Sequence, residues 1–124
     1  RVENRKAPHS LEGAPGLAGK QLSIEREELV FSGSALEAIR SFPKNVNVAV
    51  AAALSGVGPE NTTVEIVSVP GLEENSHCIY GQNKSVRVTL ETSSLPVPSN
   101  PRSSTLAAWS VVSLLQNLAS PFQF

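Results

Sequence analysis

The sequence predicts an α+β fold, a mixed and largely antiparallel sheet with helices packed on one face. Three observations carry that expectation. "TTVEIVSV" (62–69) and "SVRVTLET" (85–92) alternate apolar and polar residues, the period of a half-buried strand. "ALEAIRSF" (35–42) and "AVAAAL" (49–54) are built from good helix formers. Pro70–Gly71 and "GQNK" (81–84) supply turn chemistry at hairpin spacing.

Taken in order, "RVENRKAPH" (1–9) predicts a short strand ending at Pro8, and "SLEGAPGLAGK" (10–20) a loop. "ELVFSG" (28–33) predicts a strand closed by Gly33. Ser34 then caps a helix that Pro43 stops. "VNVAV" alternates like a strand, but Asn45 as a cap and Gly56 as a stop favour a helix from about Val46 to Ser55. Strands follow over 62–69, over "HCIYG" (77–81) and over 85–92. "SSLPVPSNP" (93–101) is a stiff connector with three prolines. A last helix is expected from about Ser104 to Ala119. Its stripe of Ala107, Val111, Leu114 and Leu118, widened by Ala108, Val112 and Leu115, implies burial against a sheet.

Composition narrows the function. The 124 residues make one domain, and a net charge of −1 without a basic stripe makes nucleic acid and anionic membrane poor partners. The single cysteine, Cys78, excludes an internal disulfide, suits a reducing cytoplasm and reads as a small buried hydrophobe. The chain starts at Arg1 and contains no methionine, so it is expected to belong to a longer protein with a further domain. "GAPGLAGK" misses the phosphate-loop spacing by one residue and has Gln21 where a hydroxyl is needed. There is no G-x-S-x-G elbow, and two histidines without ligand spacing offer no metal site.

The candidates that remain are polar residues beside turns and helix starts. His77 opens a strand, exchanges protons near neutral pH, and has Glu73 and Glu74 nearby to raise its pKa. Asn75 suits the turn before it. Two expected helix starts, at Asn45/Asn47 and at "NPRSS" (100–104), offer free backbone N–H groups to carboxylates or phosphates. Arg102 adds a fork for a carboxylate, beside Ser103 and Ser104. Asn45 and Ser103 have capping duties; Asn47, placed inside a helix, has none.

"RKAP" (5–8), "FSGSALEAIRSFPKNVNVA" (31–49), "VPGLEENSH" (69–77) and "NPRSSTLAAWSVVSLL" (100–115) together resemble the C-terminal domain of L-aspartate dehydrogenases. The resemblance spans nearly the whole chain, and its most specific part is "FPKNVNVA" followed by N-x-H. It departs from the family's usual "RKPP", "H-E" and "NPKTS" in having "RKAP", His77–Cys78 and "NPRSS". It implies a fold like the C-terminal domain of dihydrodipicolinate reductase-like dehydrogenases, commonly used to form homodimers. It also implies an N-terminal Rossmann domain carrying the dinucleotide fingerprint, which this chain lacks. The implied reaction oxidises L-aspartate with NAD or NADP to iminoaspartate, which is hydrolysed to oxaloacetate and ammonia or passed to NAD biosynthesis. The resemblance puts cofactor contact on Asn47 and catalysis on His77. Asn45, Asn75, Arg102, Ser103 and Ser104 are the candidates for substrate contact. Two other readings are a non-catalytic dimerisation or ligand-sensing domain, and a reductase for another amino or imino dicarboxylic acid.

Overall fold

The computed structural model describes residues 1–97, 100–104, 112, 113, 115 and 116. Two units divide the chain, Arg1–Ser93 and Ser94–Phe124. In the first, a five-stranded sheet has the order β2-β3-β1-β4-β5. Its strands are β1 (Val2–Lys6), β2 (Glu28–Ser34), β3 (Thr63–Ser68), β4 (Asn75–Gln82) and β5 (Arg87–Ser94). β1 pairs parallel with β3 and antiparallel with β4, and β2 pairs antiparallel with β3. The parallel pair demands a long crossover. That crossover contains α1 (Pro8–Leu11), a 3-10 turn at Pro15–Leu17, β2, α2 (Ala35–Ser41) and α3 (Asn47–Leu54).

Alternation sorts the sheet into two faces. Val2, Asn4, Val64, Ile66 and Ser68 are buried on the face that the helices cover. Ala35, Ala38, Phe42, Val46, Ala49 and Ala53 close over them, with Leu11 and Leu17 sealing one side. Small alanines let α3 lie close to the strands, while Phe42 fills the volume and meets Phe31 edge-on at 5.6 Å. The opposite face carries charge, including Arg1–Glu65 at 3.0 Å and Arg5–Glu27 at 2.7 Å.

Local chemistry accounts for the element ends. Ser34 caps α2, as the sequence predicts, and Glu37 completes a reciprocal capping box with it. The β4–β5 hairpin closes on Asn83, whose Oδ1 accepts the Ser85 and Val86 N–H groups at 2.8 Å each. Lys20, the lysine of the phosphate-loop lookalike, is held by Glu28 at 2.8 Å, and Leu17 anchors that loop in the core. No helix among the described residues is long and apolar enough to cross a membrane.

The structure corrects two expectations here. Asn45 does not cap α3: the cap position is Val46, without a side-chain hydrogen bond, because the Asn45 carboxamide donates to the Ser10 carbonyl instead (3.0 Å). Gly56 directly follows Ser55, the C-terminal cap of α3, so the helix stops where the sequence predicts, and the chain then passes through a left-handed Gly58 (φ +87°) whose N–H returns to the Ala53 carbonyl at 3.0 Å. "NPRSS" is not a helix start.

In the second unit, β6 (Pro96–Val97) pairs antiparallel with β7 (Asn100–Ser104), which contains all of "NPRSS". Pro101 pushes the residue before it into extended backbone, and this outweighs the capping preference of the serines. The free N–H groups that recommended Arg102, Ser103 and Ser104 are therefore not those of a helix. Val112, Ser113, Leu115 and Gln116 are helical, and Val112 and Leu115 are exposed. The rest of the expected terminal helix, including Ala107, Ala108, Val111, Leu114 and Leu118, lies outside the described residues.

Candidate functional site

β1 and β4 bring the site together. Asn4 sits opposite His77 in their antiparallel register, so both side chains leave the sheet on the helix-covered face. His77 Nδ1 lies 2.8 Å from Asn4 Oδ1. Asn4 is completely buried, and its Nδ2 donates to the Asn45 carbonyl at 3.4 Å. A chain of hydrogen bonds thus runs from the imidazole through β1 to the segment entering α3.

This arrangement fixes the imidazole's protonation. An Asn side chain has one accepting oxygen and one donating nitrogen. The Asn45 carbonyl can only accept, so it faces Asn4 Nδ2, and the oxygen is left for His77. His77 Nδ1 therefore carries the hydrogen, and Nε2 keeps its lone pair.

Electrostatics favour the same neutral ring. Burial, reinforced by the positive charge of Lys6, lowers the His77 pKa from 6.5 to about 4. The nearby charge that acts is thus a lysine rather than Glu73 or Glu74, and the expected upward shift is reversed. Those glutamates are exposed in the turn before β4. Lys6 is half-buried at the end of β1, its Nζ donates to Asn75 Oδ1 at 2.9 Å, and burial lowers its own pKa. Asn75 is therefore the first residue of β4 and a partner of Lys6, not simply a turn former.

The low pKa of His77 has a consequence for stability. In the unfolded chain the ring takes a proton near pH 6.5, in the folded chain only near 4. Its contribution to folding is thus present above about pH 6.5 and lost as the pH falls from there towards 4. Relative to the wild type, His77→Gln should flatten this part of the thermal-unfolding profile. Parallel curves for the two proteins over that window would contradict the assigned ring state.

Asn47 is the first residue of α3, a helix that packs on β1 and β4. Its side chain is exposed and makes no hydrogen bond to a described residue, so no structural duty explains it. The main-chain segment from Asn45 to Asn47 is anchored by Asn4, which also holds His77. Cys78 points to the other face, opposite Glu3, and is half-buried rather than a core residue. The groove of about 660 Å3 over the 8–24 loop is lined by neither His77 nor Asn47. The side chains of Arg102, Ser103 and Ser104 lie outside the described residues.

Sequence reasoning did not single out Asn4, Lys6 or Ser68. The signal was present as parity: Val2, Asn4 and Lys6 share one face of β1, and Val64, Ile66 and Ser68 one face of β3. A polar residue at an inward position of a strand must find a partner, which makes it a candidate.

Comparison with known proteins gives the family and the fold. The family model described as aspartate dehydrogenase, C-terminal, matches residues 1–118. An L-aspartate dehydrogenase from Methanosarcina barkeri is 42% identical over 98% of this chain and 46% of its own length. An L-aspartate dehydrogenase 3 from Bordetella bronchiseptica is 38% identical over 98% of this chain and 45% of its own. The crystal structure of aspartate dehydrogenase from Thermotoga maritima superposes with a TM-score of 0.74 at 30% identity, covering 100% of this chain and 45% of that one. The chain thus spans a little under half the length of these relatives. With its mixed sheet and its N-x-H strand, it belongs to the aspartate dehydrogenase C-terminal domain family.

Proposed function

We propose that this chain is the substrate-facing part of an NAD(P)-dependent L-aspartate dehydrogenase, with His77 as its catalytic base. The observation that carries the reading is the hydrogen-bonded link from His77 through Asn4 to the Asn45–Asn47 segment. It ties a neutral imidazole with a free Nε2 to an exposed carboxamide that has no structural task.

Oxidation of an amino acid needs its ammonium group deprotonated before the carbon–nitrogen double bond can form. Nε2 of His77 accepts that proton and releases it to solvent, and the neutral ring then takes a proton from the water that attacks iminoaspartate. The bound dinucleotide supplies the hydride acceptor. The Asn47 amide, with one donor and one acceptor edge, fits a carboxamide or a ribose hydroxyl of such a cofactor. Asn45 contributes through its backbone carbonyl rather than by touching substrate, and Asn75 through Lys6.

The remaining dinucleotide contacts belong to a Rossmann domain in the same protein, upstream of these residues. The protein works as a cytoplasmic homodimer. Strand β5, at the edge of the sheet among the described residues and with Val88 and Leu90 each more than half exposed, supports pairing between copies.

The direct test is an assay of the full-length protein with L-aspartate, following reduction of NAD or NADP. Aspartate-dependent reduction is expected. Binding of ligands without any turnover would favour the non-catalytic sensing domain, and turnover with a different dicarboxylic amino acid would reassign the substrate. Asn47→Ala should raise the KM for the dinucleotide by roughly tenfold, the value of one well-placed hydrogen bond, with little change in the KM for aspartate. An unchanged dinucleotide KM would remove Asn47 from the cofactor site.

A further inference from the structure

We propose that Lys6 and Ser68 form a carboxylate-binding subsite beside His77 that holds one carboxylate of a dicarboxylic amino acid. The inference rests on the dehydrogenase reading for its substrate, but its structural basis is separate. Lys6 and Ser68 are direct partners in the parallel β1–β3 ladder, so their side chains rise next to each other on the helix-covered face. Asn75 and His77 leave β4 on that face too, with Asn75 joined to Lys6 at 2.9 Å.

Neither partner is satisfied by the fold. Lys6 is half-buried, yet no carboxylate among the described residues pairs with it, and a neutral amide oxygen takes one of its three donors. A cation drawn partly out of water without a counter-charge costs stability. Ser68 is completely buried, and its hydroxyl has no hydrogen-bond partner among the described residues. Unpaired buried hydroxyls are uncommon and call for an explanation. A cation without a counter-charge and a hydroxyl without a partner, on residues paired directly across the β1–β3 ladder, suit an anionic oxygen pair.

The position also suits the chemistry. A carboxylate held by Lys6 and Ser68 would lie at the end of β1 and β3, beside the histidine that takes the substrate's proton. Burial is the larger cause of the low basicity of His77 and Lys6 the smaller; neutralising Lys6 in this way removes the smaller one, so substrate binding would raise the basicity of the ring in part.

The experiment uses the full-length protein with NAD present, and succinate as a probe that binds without reacting. Lys6→Met should weaken succinate binding and raise the KM for L-aspartate by about a hundredfold, the loss of a charge-assisted hydrogen bond, while the KM for the dinucleotide stays put. Ser68→Ala should have a smaller effect, roughly threefold to tenfold, in the same direction. Both variants should melt at or above the wild-type temperature, because each removes an uncompensated polar group. A merely structural Lys6 would give the reverse pattern: a lower melting temperature and unchanged succinate affinity. That result would overturn the subsite, as would a wild-type protein that does not bind succinate. Because succinate binding needs no turnover, absence of aspartate oxidation would sink the dehydrogenase reading without deciding this one. Loss of discrimination between L-aspartate and L-alanine in Lys6→Met would assign the subsite to the side-chain carboxylate. Equal losses for both substrates would assign it to the α-carboxylate.

Discussion

His77→Ala in the full-length protein should lower turnover of L-aspartate by about two to four orders of magnitude, the usual contribution of a positioned general base. The fold should survive. His77 is half-buried near one end of β4 and is absent from the group of buried apolar residues that hold the sheet to α2 and α3. Removing it frees Asn4 Oδ1, which then faces space that water can enter. The loss should fall on kcat and on kcat/KM for aspartate together, because the proton transfer belongs to the reaction rather than to ground-state binding. Added imidazole should restore part of the rate if the vacated space admits it. Turnover close to the wild type in His77→Ala, in protein shown to be folded, would falsify the catalytic assignment.

The fold was largely legible because its strands are short, regular and punctuated. β3 announces itself by alternation, α2 by a serine cap before a run of good helix formers, and the β4–β5 turn by its Asn-containing loop. These signals are local, and local chemistry decided them. The errors came where tertiary partners outbid local preference. Asn45 has the right residue type for a cap, but a carbonyl thirty-five positions back in sequence takes its donor. "NPRSS" carries cap-forming serines, but the prolines around it favour extended pairing with Pro96–Val97.

The candidate site was legible only in its outer members. His77 and Asn47 stand beside turns, where a polar residue draws notice. Asn4, Lys6 and Ser68 are hidden inside strand patterns, and recognising them needs the pairing register of β1 with both β3 and β4. The sign of the His77 pKa shift was missed for the same reason. Burial, the larger cause, comes from strand pairing and helix cover, and Lys6, the smaller, is close only across the sheet, whereas Glu73 and Glu74 are close along the chain.

Asn4 is therefore the residue whose substitution separates a held histidine from a merely nearby one. Asn4→Asp should keep an acceptor at His77 Nδ1 but place a negative charge there, which stabilises the imidazolium. The acid limb of the kcat/KM profile, governed in the wild type by a ring of pKa about 4, should then move to higher pH. At neutral pH more of the variant would carry a proton on Nε2 and be unable to accept another. Asn4→Leu, with the same branching and number of side-chain heavy atoms, should instead leave His77 Nδ1 and the Asn45 carbonyl without partners. That change should cost about tenfold to a hundredfold in turnover through loss of ring orientation. Nitrogen-15 chemical shifts of the ring distinguish these states directly: the wild type should show protonated Nδ1 and unprotonated Nε2, and the leucine variant a mixture of tautomers. A signal assigned through its absence in His77→Gln, showing the hydrogen on Nε2 in the wild type, would reverse the direction of the Asn4 hydrogen bond. The free lone pair on which proton abstraction depends would then point into β1 instead of towards the substrate.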